Sequence, residues 1–438
     1  MRRCGRVRAH HMATITLRSI LVRRVLIGLE VAVFLWLAFW VVQSYRADRW
    51  GQSMTPADLR RATQLDAHNS EHLLRLGRQE QYNITEMNSE LALAHFQRAT
   101  ELNPRDPAPW LELSAAYNFQ GQAAEAEACL RRADWLAPNL PHIQWVIGNF
   151  FLLQGNTDEA FRHFKVVLAG TPNYNQILFR TAWKASEDGA KILNELIPAR
   201  VPTETEYLNF LLREKRFREA QAVWRRLASG SEAFEPALAA GYVDQLILAH
   251  LPAEAAQVWD DLHARGLIKP TYQPTPQNML VNGDFEEDIL NMGFDWRIAP
   301  VDGVLTAIDS TNFHSPSRSL QIIFLGKTNL EYRGVHQFVR VEPGRSYRLQ
   351  GFLKTEGITT DSGPRLEVRD AYDSLAIEQF SDSLTGTSTG WSQAILDFTA
   401  GPKTGFIVVG VARLSSGKLD NLIAGKVWVD DVRLTSRQ

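Results

Sequence analysis

Hydrophobic and polar positions follow two different periods along this chain, and the change falls near residue 278. Before it, apolar residues recur at spacings of three and four, which predicts amphipathic helices. After it, apolar and polar residues alternate, which predicts strands. The segment HQFVRVEPGRSYRLQGFLKT (336–355), for example, predicts two strands joined by a Pro-Gly turn. The pattern therefore predicts an all-α region followed by an all-β region.

An apolar run, VLIGLEVAVFLWLAFWVV (25–42), precedes both regions and contains one charged residue, Glu30. At a rise of about 1.5 Å per residue this helix would reach roughly 27 Å, enough to cross the hydrocarbon core of a bilayer. Arginines without any acidic residue stand before it, and tryptophans crowd its far end. We predict a cytoplasmic basic leader at 1–24, which begins at Met1 or Met12, and a transmembrane helix at 25–45.

A cleaved signal peptide is the alternative interpretation of this run. The run is longer than a typical signal-peptide core, and no pair of small residues at the spacing of a cleavage site follows it. A single-pass membrane protein with its N-terminus in the cytoplasm and its bulk outside is therefore the prediction. Cys4 and Cys129 would then lie on opposite sides of the membrane and cannot form a disulfide.

The helical region, 55–268, contains a repeat with a period of 34 residues. Leu113, Tyr117, Ala126, Leu130 and Pro138 are followed 34 residues later by Ile147, Phe151, Ala160, Phe164 and Pro172. This pattern resembles the tetratricopeptide repeat, a pair of antiparallel helices, and it implies an α-solenoid. Small Ala126 and Ala160 would let the two helices of a pair approach closely.

A solenoid of this type implies a protein partner along the face formed by the first helix of each pair. The inward candidates are Leu111, Ala115, Asn118, Trp145, Asn149 and Leu152. Asn118, Trp145 and Asn149 are the polar or aromatic members, and we expect them to contact a partner. For Trp145, packing between repeats is the alternative role.

A linker at 269–277 is expected before the β region, 278–438, which holds 16 of the 28 glycines. Several short strands separated by turns predict an antiparallel sandwich. Four segments, LVNGDFE (280–286), VEPGRSYRLQGFLKT (341–355), GW (390–391) and VWVDDVRL (427–434), resemble carbohydrate-binding-module-like jelly rolls. The fold class that we predict is therefore multidomain: a transmembrane helix, an all-α solenoid and an all-β jelly-roll sandwich.

That resemblance implies two kinds of site. The first is a structural calcium ion held by Glu286 with Asp430 or Asp431, whose alternative role is that of solvated charges at strand ends. The second is a glycan site at which exposed rings stack on sugars. The candidate side chains are Trp296, Tyr332, His336 and Tyr372, and for each of them packing within the sandwich is the alternative role. Trp391 and Trp428 are expected in the core.

Composition narrows the function. There are 47 basic and 49 acidic residues, so no excess of positive charge favours nucleic-acid binding. No catalytic triad, phosphate loop or metal-type histidine cluster is evident, and we assign no catalytic residue. The domain order resembles bacterial envelope proteins associated with surface-polysaccharide export, which implies an inner-membrane protein with a periplasmic bulk. The prediction is a non-enzymatic scaffold that binds a protein partner and a glycan. The alternative is a true glycan-binding module that tethers a polysaccharide or assists a carbohydrate-active enzyme.

Overall fold

A computed structural model describes residues 20–53, 55–85 and 87–437. The predicted leader lies outside these residues as far as residue 19, together with Cys4 and Met12. The described chain forms an apolar helix, further helices and then a β-sandwich, so the predicted fold class is confirmed. The chain divides into two compact units, Met1–Gly170 and Thr171–Gln438, and each is described by itself. The domain boundary at 269–277 stays a prediction.

The first unit is helical. Its helices are α1 (Ile20–Gly51), α2 (Pro56–Leu65), α3 (Ser70–Tyr82), α4 (Ser89–Leu102), α5 (Pro107–Phe119), α6 (Ala123–Leu136), α7 (Pro141–Leu153) and α8 (Thr157–Gly170). The apolar run forms the larger part of α1, which is long and apolar enough to cross a membrane or to serve as a signal sequence. Its carboxyl-terminal part packs into the array, because Ala47 and Gly51 are buried.

Consecutive helices of this unit form close antiparallel pairs, and small residues allow the close approach. Ala126 and Ala160 are fully buried, as the repeat pattern predicts. Gly77 in α3 faces the buried ring of Phe96 in α4, where an added Cβ would lie 2.6 Å from a ring carbon. Gly148 in α7 faces the ring of Phe164 in α8 in the same way. In each of these two pairs, the close approach of the helices therefore depends on a phenylalanine ring packed against a glycine.

The second unit begins with further helices. They are α9 (Asn175–Ala185), α10 (Gly189–Lys191), α11 (Val201–Arg213), α12 (Phe217–Ser229), α13 (Ala237–Leu248) and α14 (Pro252–Ala264), with a π-helical turn at Ile192–Leu196. Aromatic side chains pack these helices together, as where the rings of Trp224 and Tyr242 lie 5.8 Å apart. A 3-10 turn, Pro270–Tyr272, follows, and Tyr272 is buried.

A sandwich of two antiparallel sheets completes the second unit. Its strands are β1 (Arg297–Ile298), β2 (Val304–Asp309), β3 (Ser319–Leu325), β4 (Tyr332–Arg340), β5 (Ser346–Glu356), β6 (Arg365–Asp370), β7 (Glu378–Phe380), β8 (Ser392–Thr399), β9 (Phe406–Arg413) and β10 (Ala424–Ser436). Sheet 1 has the order β1-β4-β9-β6-β7, and sheet 2 has the order β2-β3-β10-β5-β8. Strand β5 alternates buried and half-buried positions along most of its length, as period two predicts.

Two of the predicted metal-binding acids, Glu286 and Asp430, hold the same loop, residues 314–318. Both carboxylate oxygens of Glu286 accept hydrogen bonds, from the backbone N–H groups of Ser317 and Arg318 and from the Ser317 hydroxyl, at 2.6–2.9 Å. Burial alone would raise the pKa of Glu286, but these hydrogen bonds lower it below its usual value. Glu286 is therefore an ionised acceptor for N–H donors.

Asp430 is fully buried, and it also accepts hydrogen bonds from backbone N–H groups. One of its oxygens accepts the N–H groups of His314 and Ser315 at 2.7 and 2.9 Å, and the other accepts the N–H of Asp431. Burial raises the pKa of Asp430 to about 6 although these hydrogen bonds oppose the rise. Asp431 pairs with Arg433 at 2.7 Å. Because donors already surround these three carboxylates, their contacts favour a hydrogen-bonding role over the calcium site that the resemblance implies.

Two helical glycines should respond oppositely to alanine. Gly77→Ala places a methyl group against the fully buried Phe96 ring, an overpacking cost of about 1–3 kcal/mol that outweighs the helix-propensity gain of about 1 kcal/mol. Gly241→Ala in α13 meets open space and should stabilise by about 0.5–1 kcal/mol. Thermal melts of the full chain measure both. A stabilising Gly77→Ala would contradict the close packing of α3 on α4.

Calcium should leave the unfolding temperature unchanged. If the ion bound the folded sandwich alone, 100 times its dissociation constant would stabilise it by about 2.7 kcal/mol. We expect equal melts of the full chain in calcium, in magnesium and in chelator. Glu286→Gln should melt lower in all three, because it weakens the acceptor of the 314–318 loop. A rise specific to calcium that Glu286→Gln abolishes would establish the metal site.

Candidate functional site

Two of the four predicted sugar-stacking rings lie in the hydrophobic core. Trp296 is fully buried, with its ring 5.2 Å from that of Phe285 and its indole N–H donating to the carbonyl of Asn282 at 2.9 Å. Tyr332 is 1% exposed and packs against Phe324. Neither ring presents a face to a ligand, which corrects the assignment of both. Trp296 precedes a strand of two residues, too short for alternation along the sequence to show which way its ring points.

Tyr372 and His336, the other two candidates, lie on the side of the sandwich formed by sheet 1. The Tyr372 hydroxyl donates to the carbonyl of Ile247 in α13 at 2.6 Å, and its ring stacks on His250 at 3.7 Å. One face of the Tyr372 ring is therefore already covered. His336 is half-buried on the outer face of sheet 1.

Trp428 is buried as expected, but not in the core between the sheets. Its neighbours in β10, Val427 and Val429, belong to that core, so Trp428 points to the outer face of sheet 2. Its indole N–H donates to Asp309 at 2.7 Å, and the ammonium groups of Lys354 and Lys426 lie near its ring. Trp391 is half-buried, beside the ring of His314. Neither ring belongs to the cluster of core residues.

The outer face of sheet 1 carries a row of polar side chains that the strand register brings together. Arg297 of β1 pairs with His336 of β4, which pairs with Gly410 of β9, which in turn pairs with Glu367 of β6. Arg369 lies two residues along β6 from Glu367, on the same face. We call Arg297, His336, Glu367 and Arg369 the polar row.

Each member of the polar row has a buried polar atom that lacks a hydrogen-bond partner. These atoms are Arg297 Nε, His336 Nδ1, Glu367 Oε1 and Arg369 Nε. Buried polar atoms are normally paired, and each one left unpaired costs about 1–3 kcal/mol. Four such atoms on one sheet face therefore mark the polar row as a candidate site for polar contacts.

The electrostatics of the polar row combine donors with an acceptor. Burial raises the pKa of Glu367, although Arg333 lies 3.0 Å from its Oε2. Burial, helped by Arg297 and Arg369, lowers the pKa of His336 to about 4, so its ring is neutral near pH 7. Arg297 is balanced by Asp244 of α13 at 2.6 Å. The row therefore offers hydrogen bonds without a large net charge.

Spacing within the row suits a hydroxyl group. Arg369 Nε and Glu367 Oε1 form an ion pair at 4.0 Å, a distance that is too long for a direct hydrogen bond. A hydroxyl placed between them accepts from the first atom and donates to the second. Gly410 lies in close contact with the row, since a Cβ there would lie 2.7 Å from the Val335 carbonyl oxygen and 3.2 Å from Glu367 Oε1.

Sequence reasoning identified His336 and missed the other three members of the row. Their strands are separated by tens of residues, and only the register of four strands brings them together. The available signal was the charged positions in PRLEVRDA (364–371), which place Glu367 and Arg369 on one face of a strand. In the described part of the chain, no group of three or more His, Cys, Asp or Glu side chains is placed to hold a metal ion.

The predicted partner-binding residues of the solenoid have different surroundings. Asn118 is exposed at the end of α5. Trp145 is half-buried, with its ring 5.8 Å from that of Phe164, and Asn149 donates to the Trp145 carbonyl at 2.7 Å. Sequence reasoning missed Phe119 and Leu153, which lie 34 residues apart and are 61% and 82% exposed. These two repeat an exposed apolar residue at the same position of consecutive repeats.

No protein-family model matches this chain, and no curated protein matches it. A solved structure of MamA protein is 15% identical, covering 44% of this chain and 97% of that chain, with a TM-score of 0.30. The CBM22-2 xylan-binding domain from Paenibacillus barcinonensis Xyn10C is 18% identical over 35% of this chain and 98% of that chain, with a TM-score of 0.26. Bacteriophage CBA120 tailspike protein 4 is also 18% identical, over 37% of this chain and only 22% of that chain, with a TM-score of 0.26. The neighbours thus include MamA and carbohydrate-binding modules, and this chain has a helical region followed by a β-sandwich. No activity of this chain follows from these similarities.

Proposed function

We propose that the chain is a membrane-anchored, non-enzymatic binding protein whose β-sandwich holds a glycan on the outer face of sheet 1. One observation carries this proposal: the four buried polar atoms of the polar row that lack a hydrogen-bond partner. A sugar hydroxyl both donates and accepts hydrogen bonds, so an array of hydroxyls complements a row that mixes donors with an acceptor. Binding would then satisfy groups that the free protein leaves unpaired.

The charges of the site favour an uncharged ligand. An anion would approach the carboxylates of Glu367 and Glu378, which Arg333 already joins at 3.0 and 2.8 Å. A cation would approach the guanidinium groups of Arg297 and Arg369 instead. A neutral polyol meets neither repulsion, and hydrogen bonds to charged partners are the stronger kind, worth about 1.5–3 kcal/mol each. A neutral glycan is therefore the ligand class that we propose.

The proposal places the glycan site outside the cytoplasm. Helix α1 is long and apolar enough to cross a bilayer, and arginines precede the apolar run. Trp36, Trp40 and Tyr45 follow at its far end, where such rings favour the membrane interface. In this proposal the chain is an inner-membrane protein of a bacterial envelope with a periplasmic bulk.

The helical repeats supply the second binding surface of the proposal. Phe119 and Leu153 are exposed at equivalent places in consecutive repeats, and a repeated apolar contact of this kind suits a protein partner. A chain that joins a protein partner to a glycan would serve in the assembly or export of a surface polysaccharide. The alternative is that the sandwich alone tethers a polysaccharide to the membrane.

Glycan binding should depend on Glu367. The full chain in detergent, applied to an array of neutral glycans, should bind at least one, and Glu367→Gln should weaken that binding about tenfold or more, because a charged acceptor is lost. Isothermal titration with the selected glycan measures the dissociation constant.

Asp397→Asn is the matched control for that substitution. Asp397 pairs with Arg348 at 2.7 Å on the outer face of sheet 2, so the same acid-to-amide change is made away from the polar row. Its affinity should equal that of the unaltered chain. Equal weakening by both variants, or an array on which no glycan binds, would refute the site.

The orientation of the anchor can be tested separately. A reporter that is active only in the cytoplasm, fused after Gln438, should be silent, because the arginines before the apolar run keep the N-terminus inside. Deleting residues 1–51 should restore its activity, since the apolar run is then absent. A full-length fusion as active as the deletion would show that the bulk lies in the cytoplasm.

A further inference from the structure

A cavity of about 570 Å³ lies beside β4 in the second unit. Six consecutive residues, 338–343, line one wall of it. The side chains of adjacent strand residues point to opposite faces of a sheet, so a cavity on one face would contact only alternate residues. A cavity that contacts consecutive residues must instead run along the edge of the strand. The wall is therefore a strand edge, with backbone groups as well as side chains.

The hydrogen bonds of the neighbouring strand show which backbone groups face this edge. Val341 N–H donates to the Gly405 carbonyl, on the β9 side, at 3.1 Å. In an antiparallel pair, alternate residues direct their N–H and C=O groups to opposite edges, so Phe338 and Arg340 direct theirs away from β9. The carbonyl of Phe406, opposite Arg340, accepts from Ala371 on the β6 side, which agrees with this assignment.

The far edge of β4 has a neighbour for only part of its length. There β1 pairs with Val335 and His336. Before Arg297 the chain turns away, where Asp295 N–H donates to the Met292 carbonyl at 3.1 Å. Within residues 87–437, no strand pairs with Phe338 or Arg340 on this edge. Two N–H and two C=O groups of β4 are therefore unpaired beside the cavity.

Helix α14 and the segment after it form the opposite wall. The apolar side chains there are Ala256, Trp259, Pro274 and Met279. Trp259 is held in place because its indole N–H donates to the Tyr272 carbonyl at 3.1 Å. Charged Asp260 and Arg345 also line the cavity. The space thus combines a hydrogen-bonding strand edge with an apolar wall and charged side chains.

We propose that an extended peptide segment of a partner protein binds here by adding a strand to the edge of β4. N–H and C=O groups that alternate at strand spacing are complemented in full by another extended polypeptide. Side chains on one face of that peptide would pack on Trp259 and Met279. This edge is distinct from the polar row, which lies on the face of sheet 1. The peptide site therefore adds a protein-binding function to the sandwich, and it does not rest on glycan binding.

Three fluorescent hexapeptides serve as probes. In each of them valine alternates with one polar residue, which is threonine in the first, glutamate in the second and lysine in the third. At least one should bind the full chain in detergent saturably, as measured by fluorescence anisotropy. N-methylation of alternate residues on the edge that pairs with β4 should then weaken binding about tenfold or more. The same number of methyl groups on the other edge should change it little. Absence of saturable binding, or equal weakening by both patterns, would overturn the proposal.

Two variants at residue 340 separate the backbone from the side chain. Arg340→Pro removes the N–H that faces the cavity, and proline is tolerated where that group lies outside the ladder. Arg340→Gln retains the N–H and removes the charge. Peptide binding should be lost in the proline variant and retained in the glutamine variant. Equal peptide affinities of the two variants would overturn the proposal. If the proline variant melts well below the unaltered chain, the comparison of the two N-methylation patterns tests the proposal instead.

Discussion

Strand β9 is removed from water on both faces, and the architecture of the candidate site depends on that constraint. All eight residues of Phe406–Arg413 are buried. Sheets of this antiparallel kind commonly leave one face wet. Here Ile407 and Val409 point into the sandwich, while Phe406 points outward and packs on Phe294 and Tyr372. The side chains of the polar row lie on this same outer face, and each has a buried polar atom.

Burial on the outer face of sheet 1 also determines the state of the polar row. Three of its members lie on β4 and β6, which flank β9, and Arg297 lies on β1 beside β4; burial separates their polar atoms from water without supplying hydrogen-bond partners. The same burial holds His336 neutral, with a pKa of about 4, below the unfolded value of 6.5. Because the unfolded chain then binds more protons between these two values, stability falls as the pH drops from about 6.5 towards 4. Near pH 7 the ring stays neutral.

The sequence predicts those features of the fold and of the site that depend on neighbouring residues along the chain. Period 34 and period two are local patterns, so the helix pairs, the close approach at Ala126 and most of the strands follow from them. The direction of the Trp296 ring does not, because two strand residues show no alternation. The donors that surround Glu286 come from Ser317 and Arg318, about thirty residues away, and spacing along the chain carries no sign of them. The polar row depends on the register of four strands, which is a property of the assembled sheet.

The shortness of β1 connects the two surfaces proposed for the sandwich. Its two residues are enough to place Arg297 opposite His336, and they complete the polar row on the face of sheet 1. They are too few to cover Phe338 and Arg340, whose backbone groups remain at the edge. An exposed strand edge invites pairing with other chains, and proteins usually shield such edges. Here residues of α14 line the same cavity as the edge of β4, so the helix stands beside that edge without pairing with it. One short strand thus leaves a ligand face and a peptide edge on the same strand, β4.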